Sequence, residues 1–372
     1  MQRLTIRSAS VSICAIRQEL ELHVFSNAWA KGRLHMTFFR TPYRRKSSIK
    51  YQTILCAAII QALMVHGVVN IFAAEVTLAL PAKSLQQIIF PLAVERGYMK
   101  EEDIDLKITF MEPAPSMQAM LAESVQITAA GGSALIAIAR SNYPAKVVLA
   151  VNDRVHQWVI SRPTVGSIKD LKGKALATTG VASLATFMFK NIMPKYGLDP
   201  SKDITFTDPG VNNQAMAVMS GAVEAAIVSV EQRYAALDNG MKELMYLGNE
   251  VKNSWGTTAA SEKFMKEQPR VVAGFMRATL KALRLIKRDR AGTIAAFAKF
   301  SGLPVATSTR LYDDLIGSFT ANGAVDEETQ KNDLGVIRQV LDAKEALAPA
   351  RAFDFSFAIE ADRQLTKLGW KP

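Results

Sequence analysis

"KALATTGVASLATFMFKNIM", residues 174–193, reads as a short apolar strand from Lys174 to Thr178, a turn holding Gly180 and Ser183, and then a helix. Leu184, Phe187, Met188 and Ile192 fall at offsets 0, 3, 4 and 8, which stacks them on one helical face. A strand that passes through a small, hydroxyl-bearing turn into a helix leaves several backbone N–H groups without partners. Together with the helix dipole these attract anions. The turn can therefore be a catalytic cradle, a ligand clamp or a plain loop.

The neighbouring chain repeats this order. Towards the N-terminus, "EVTLAL" (75–80) is a strand and "SLQQIIFPLAVERGYM" a helix, with Leu85, Ile88, Ile89, Leu92 and Ala93 on one face and Gly97 placed to end it. The strand "IDLKITFM" (104–111), a Pro-rich turn, a short helix around Met117, Met120 and Leu121, the strand "VQITAAG" (125–131), a helix from Ser133 and the strand "AKVVLAV" (145–151) follow. Beyond residue 193 come "DITFTD" (203–208), a helix through Ala215, Met216 and Met219, and "EAAIVSV" (224–230). Such alternation predicts an α/β fold with mainly parallel sheets, helices on both faces and ligands outside the carboxyl ends of the strands. "QAMLAESVQITAAG" (118–131) is echoed by "QAMAVMSGAVEAAIVS" (214–229), so two doubly wound lobes around a central cleft are expected, able to close by a hinge.

Composition removes several function classes. The formal charge of +11 suggests nucleic acid until it is located: residues 1–74 hold ten Lys and Arg against Glu19 and Glu21, leaving 35 of the 45 basic and 32 of the 34 acidic side chains in the rest. No case for nucleic acid remains, and no basic-aromatic interleaving of the kind used on single strands is evident. Residues 1–74 read as an export leader: "RRKSSIK" (44–50) is a basic segment, "ILCAAIIQALMVHGVVNIFAA" (54–74) is mostly apolar, and Ala73 and Ala74 suit a peptidase. Cleavage is expected near Ala73 or Ala74, with an uncleaved anchor as the alternative, and Met36 is the expected translation start. Both cysteines, Cys14 and Cys56, and three of the four histidines fall in this leader, leaving His156 alone. A Cys/His zinc site or a multi-histidine cluster cannot be assembled from that remainder, and "NDRVHQWVIS" has no nucleophile-elbow pattern. No metal and no cofactor is expected.

Over residues 75–290 the sequence resembles the substrate-binding proteins of ABC importers of the nitrate, sulfonate and taurine class, which have the type II periplasmic binding fold. The resemblance is carried by "AVERGYMKEEDIDLKITF" (93–110), "AMLAESVQITAAGGSALIAIARSNYPAKVVLAV" (119–151), "GSIKDLKGKALATTGVASLATFMFKNIMPKYGLDPSKDITF" (166–206) and "MSGAVEAAIVSVEQ" (219–232). The chain departs from the pattern at Asp103, where Gly is usual, at Ser124 and Gln126, and at Gln232, where Pro is frequent. The resemblance implies a discontinuous first lobe of 75–159 plus 256–372 and a second lobe of 160–255, joined near "HQWVISRP" and "GNEVKNSWG". The C-terminal third is expected as helical cladding, with Val272, Phe275, Met276, Thr279, Leu280 and Leu283 at helical spacing. It also implies a periplasmic monomer that binds a small solute without catalysis and meets permease and ATPase subunits at the inner membrane. A pyrimidine synthase of thiamine biosynthesis shares the fold and is the enzyme alternative, against which a thiol-free exported chain argues; a solute-sensing partner of a membrane receptor is the third reading.

Candidate ligand contacts lie at strand ends. Lys83 and Ser84 follow the first strand, with Lys83 able to pair an anion or simply to face solvent. Gly132 and Ser133 follow the third strand, where the glycine permits close backbone approach or only turns the chain. Thr179, Gly180 and Ser183 form the opening turn, Ser183 either donating to a ligand or capping its helix. Asn212 and Asn213 follow a Pro-Gly turn, and Glu231 follows an apolar strand and can hold an amine or a hinge salt bridge. Trp158, by the first crossing, can stack on a ligand or pack the hinge, and Trp255, by the second crossing, is open to the same two readings.

Overall fold

The first strand, AEVTLAL, is almost wholly apolar because its neighbours cover it on both faces: Val76, Leu78, Ala79 and Leu80 have no exposed surface. It sits inside the first of two five-stranded sheets in a computed structural model that describes residues 73–210 and 213–372. Most of the expected leader, with both cysteines, lies outside these residues; Ala74 opens the first strand.

The strands are β1 (Ala74–Leu80), β2 (Ile104–Phe110), β3 (Ile127–Thr128), β4 (Ala145–Asn152), β5 (Trp158–Ser161), β6 (Lys174–Ala177), β7 (Ile204–Thr207), β8 (Ala225–Val228), β9 (Lys242–Tyr246) and β10 (Trp255–Ser261). The first sheet has the order β2-β1-β3-β10-β4 and the second β7-β6-β8-β5-β9. In each, a parallel trio is followed by one antiparallel strand: β10 runs against β3 and β4, and β5 against β8 and β9. The antiparallel strand is the first one the chain enters after crossing, β5 on the way out and β10 on the way back. Four of the five strands in each sheet run one way, so the mainly parallel sheets, the α/β class and the two-lobed type II architecture agree with the reading of the sequence. Strands β5, β9 and β10 were not expected: "HQWVIS" and "NSWG" read as connections, yet both run into buried strands.

The helices that face the sheets are α1 (Ile89–Glu95), α2 (Pro113–Leu121), α3 (Gly131–Ser141), α4 (Leu184–Ile192), α5 (Gln214–Met219) and α6 (Val230–Asp238). The expected Pro-rich turn after β2 is instead the first turn of α2, where a proline at the first helical position gives up no helical bond. Asp103 takes a left-handed conformation, φ 54°, at the point where the family pattern favours Gly. The C-terminal third supplies α7 (Glu262–Glu267), α8 (Pro269–Arg288), α9 (Arg290–Ser301), α10 (Val305–Leu315), α11 (Glu327–Val340), α12 (Pro349–Ala352) and α13 (Ser356–Lys367). All six apolar-spaced positions of α8 are buried, and Phe275 stacks on Phe90 of α1 with centroids 5.9 Å apart.

Helix α11 joins the two halves. Its Leu334 and Ile337 pack with Leu135 and Ile138 of α3, while Val336 belongs to the apolar cluster around Phe189 of α4. Gln339 and Asn191 exchange two side-chain hydrogen bonds of 2.9 and 3.0 Å on the same side. On another side, Arg233 Nη1 and Tyr234 Oη of α6 donate to Asp314 of α10 at 2.5 and 2.6 Å. No helix of the described residues is long and apolar enough to cross a membrane.

Candidate functional site

A cavity of about 570 Å³ lies between the two sheets, where the chain leaves β1 and β3 on one side and β6 and β8 on the other. Three helices begin at it: α3 from the first sheet, α4 and α6 from the second. Ser183 caps α4 and Ser229 caps α6 through their hydroxyls. The residue before α3 is Ala130, which has no capping group, so the N–H groups of Gly131, Gly132 and Ser133 begin a helix with no side-chain acceptor. Gly131 is required by space: a Cβ there would lie 2.2 Å from Thr257 Oγ1 and 2.6 Å from the Thr257 carbonyl of β10. A Cβ on Gly132 would lie 3.3 Å from Leu184 Cδ1 of the opposite half, so the two halves nearly touch at this point.

Of the residues singled out in the sequence, Ser84, Gly132, Ser133, Thr179, Ser183, Glu231 and Trp255 line this cavity. Lys83 does not; its Nζ sits 5.4 Å from the centre of the Phe110 ring. Trp158 also lies outside the lining, buried in β5 and stacked on Tyr246 at 4.6 Å, with the Arg233 guanidinium 5.2 Å away. Gly180 and Asn213 are absent from the lining, and Asn212 falls outside the described residues. The Ser183 hydroxyl is engaged within its own turn: it accepts from Thr186 N at 3.3 Å and lies 3.0 Å from Thr186 Oγ1, which itself donates to the Gly180 carbonyl.

Sequence reasoning missed the polar groups that arrive from the first crossing, from the helix after β1 and from the C-terminal third. Gln87, His156, Gln157 and Asp333 all line the cavity. His156 is 4% exposed and its Nε2 lies 2.7 Å from Ser318 Oγ. That hydroxyl already donates to the Leu315 carbonyl 2.6 Å away and accepts from Asn152 Nδ2, so the shared proton with His156 must come from Nε2. Nδ1 is left as a bare acceptor without a partner. Burial lowers the imidazole pKa to about 3, which keeps the ring neutral. Gln87 and Gln157, 5% and 8% exposed, each have an amide oxygen without a partner.

Asp333 is the buried carboxylate of the cavity. Asn253 Nδ2, Ser254 N and Ser254 Oγ donate to it at 2.8, 3.1 and 2.5 Å. Burial raises its pKa to about 6, and these donors oppose the rise only in part. Neither Lys nor Arg appears in the lining among the described residues. The only sequence signal for any of these groups was His156, the one histidine beyond the leader. Asp333 lies on an ordinary helix about which the local pattern says nothing.

The family described as "NMT1/THI5 like" matches residues 85–290, more than half of the chain and within the span of the sequence resemblance. The chain belongs to the NMT1/THI5-like family. No curated protein matches the sequence. Solved structures repeat the fold. A sulfonate ABC transporter periplasmic sulfonate-binding protein, SsuA, from Methylobacillus flagellatus KT is 17% identical, with a TM-score of 0.68 over 81% of this chain and 97% of its own. The alkanesulfonate-binding protein SsuA from Xanthomonas axonopodis pv. citri, bound to MOPS, is 21% identical, with a TM-score of 0.60 over 75% and 98%. The desulfurization enzyme DSZB is 13% identical, with a TM-score of 0.55 over 78% and 99%. Within the NMT1/THI5-like family, then, this chain has a fold that also serves both binding proteins and an enzyme. The chemistry of its own cleft has to carry the functional argument.

Proposed function

We propose that this protein is the solute-binding component of an ABC importer, exported to the periplasm, where it closes on a small organic solute and presents it to a permease with its ATPase. One observation carries the reading: the cavity is lined from both sheets and from both crossings, so a solute held there bridges two bodies that a hinge can separate. The basic and apolar leader of the sequence supports export. The binding proteins of like fold support the transport role.

The lining supports an organic solute over a bare inorganic anion. Uncapped N–H groups at α3 suit a carbonyl, carboxylate or sulfonate group. Around them Trp255, Leu184, Met188, Leu135 and Ile337 offer an apolar wall that nitrate cannot use.

A thermal-shift screen of the purified protein with alkanesulfonates, taurine, nitrate, aromatic carboxylates, amines and pyrimidines tests this function. A bound solute at about 100 times its Kd adds about 2.7 kcal/mol. The expected result is a rise in Tm with at least one organic solute, which is then recovered chemically unchanged. Recovery of a converted product would refute the reading in favour of an enzyme.

A further inference from the structure

We propose that the cleft takes a solute bearing an amine, whose N–H groups are received by Asp333 and by Nδ1 of His156, with Glu231 closing over it from the second sheet. The proposal rests on the solute-binding reading and specifies the charge of what is bound.

Apart from the N–H groups at the start of α3 and the Ser84 hydroxyl, the buried side-chain atoms left without a partner in the cavity are acceptors. Nδ1 of His156 is a bare lone pair because Nε2 must hold the ring proton. The amide oxygens of Gln87 and Gln157 are likewise unpartnered, and all three side chains are more than nine-tenths buried. A buried acceptor left without a donor costs free energy, and a ligand N–H removes that cost.

Charge points the same way. Asp333 is 6% exposed, and each of its bonds comes from a neutral donor, Asn253 or Ser254. Buried charges are ordinarily paired with an opposite charge or held by a metal. Among the described residues the lining supplies no cationic side chain, and its second charged group, Glu231, is another carboxylate. A protonated amine is small enough to reach into the cavity, carries the missing positive charge and offers several N–H donors. The apolar wall then covers the body of the solute, and the start of α3 remains free for an acceptor at its other end.

The test uses isothermal titration calorimetry on the purified full chain with probes of one shape: 2-phenylethylamine, its N,N,N-trimethyl derivative, 2-phenylethanol and 3-phenylpropionate. The expected order places 2-phenylethylamine at least about tenfold tighter than the trimethyl cation, which has charge but no N–H, and than the carboxylate. Asp333→Asn, which keeps the side chain's shape, is expected to weaken the amine by about tenfold or more and to leave the carboxylate no weaker. Glu231→Gln, at an exposed position in the first turn of α6, is expected to weaken the amine by about threefold. Binding of 3-phenylpropionate as tight as the amine, or amine binding untouched by both substitutions, overturns the proposal while leaving a solute-binding protein. If no probe and no solute of the thermal-shift screen binds, the solute-binding reading falls and takes the proposal with it.

Discussion

Replacing Asp333 by asparagine should change how stability depends on pH, in a direction opposite to ordinary acid denaturation. Burial raises the Asp333 carboxyl from 3.8 to about 6, with no charged side chain among the causes. The folded state therefore holds this proton more tightly than the unfolded chain. As pH rises from about 4 to about 6 the folded protein keeps a proton that the unfolded one has lost, so stability falls through this window and levels off above it. At about 1.36 kcal/mol per pH unit, the loss amounts to about 3 kcal/mol. Exposed carboxylates that their partners hold at about 2, such as Asp326 beside Lys252 and Glu360 beside Arg363, act in the opposite sense. They are the same in both proteins and cancel in the difference. The amide oxygen introduced by Asp333→Asn can still accept from Asn253 and Ser254 N, and the Ser254 hydroxyl can turn to accept from the new amide nitrogen. The assay is urea or thermal unfolding of wild type and Asp333→Asn at pH 4, 5, 6 and 7 without ligand. The stability of the variant relative to wild type should grow by about 3 kcal/mol from pH 4 to pH 7, a change of several degrees in the Tm gap for a chain of this size. A gap constant across that range would refute the assignment of a buried, unpaired carboxylate.

Gly131→Ala places a Cβ against the Thr257 backbone of β10 and should cost about 1–3 kcal/mol in unfolding experiments. Gly132→Ala, whose Cβ meets only the flexible end of Leu184, should leave Tm within about a degree of wild type but weaken solute binding, because it fills the point where the halves meet. Arg233→Met removes a donor to Asp314 across the two halves and should lower stability by about 1 kcal/mol. Small-angle scattering of the ligand-free variant should show a larger radius of gyration. An unchanged radius would mean that this contact does not restrain the hinge.

The sequence by itself determined the α/β class, the pairing of two similar units and the family, because parallel strands buried on both faces appear as apolar runs whatever surrounds them. β1 and "KALA" of β6 are legible for this reason. It also placed Ser84, Ser133, Thr179 and Glu231 at the cavity, since the ends of parallel strands face a cleft by topology alone. What followed from tertiary structure was invisible locally. β10 is "WGTTAAS", rich in small residues because the start of α3 packs directly on Thr257, so it lacks the apolar signature of a strand. Lys83 turned onto Phe110, and Trp158 onto Tyr246, because a side chain's direction depends on the neighbour that offers it contact. Asp333 met Asn253 and Ser254, some 80 residues away in the chain, only because α11 returns across both halves. Local patterns record which faces are buried; which polar groups share a cavity is set by how the chain crosses, and that is decided only when the two sheets and the returning helix are packed together.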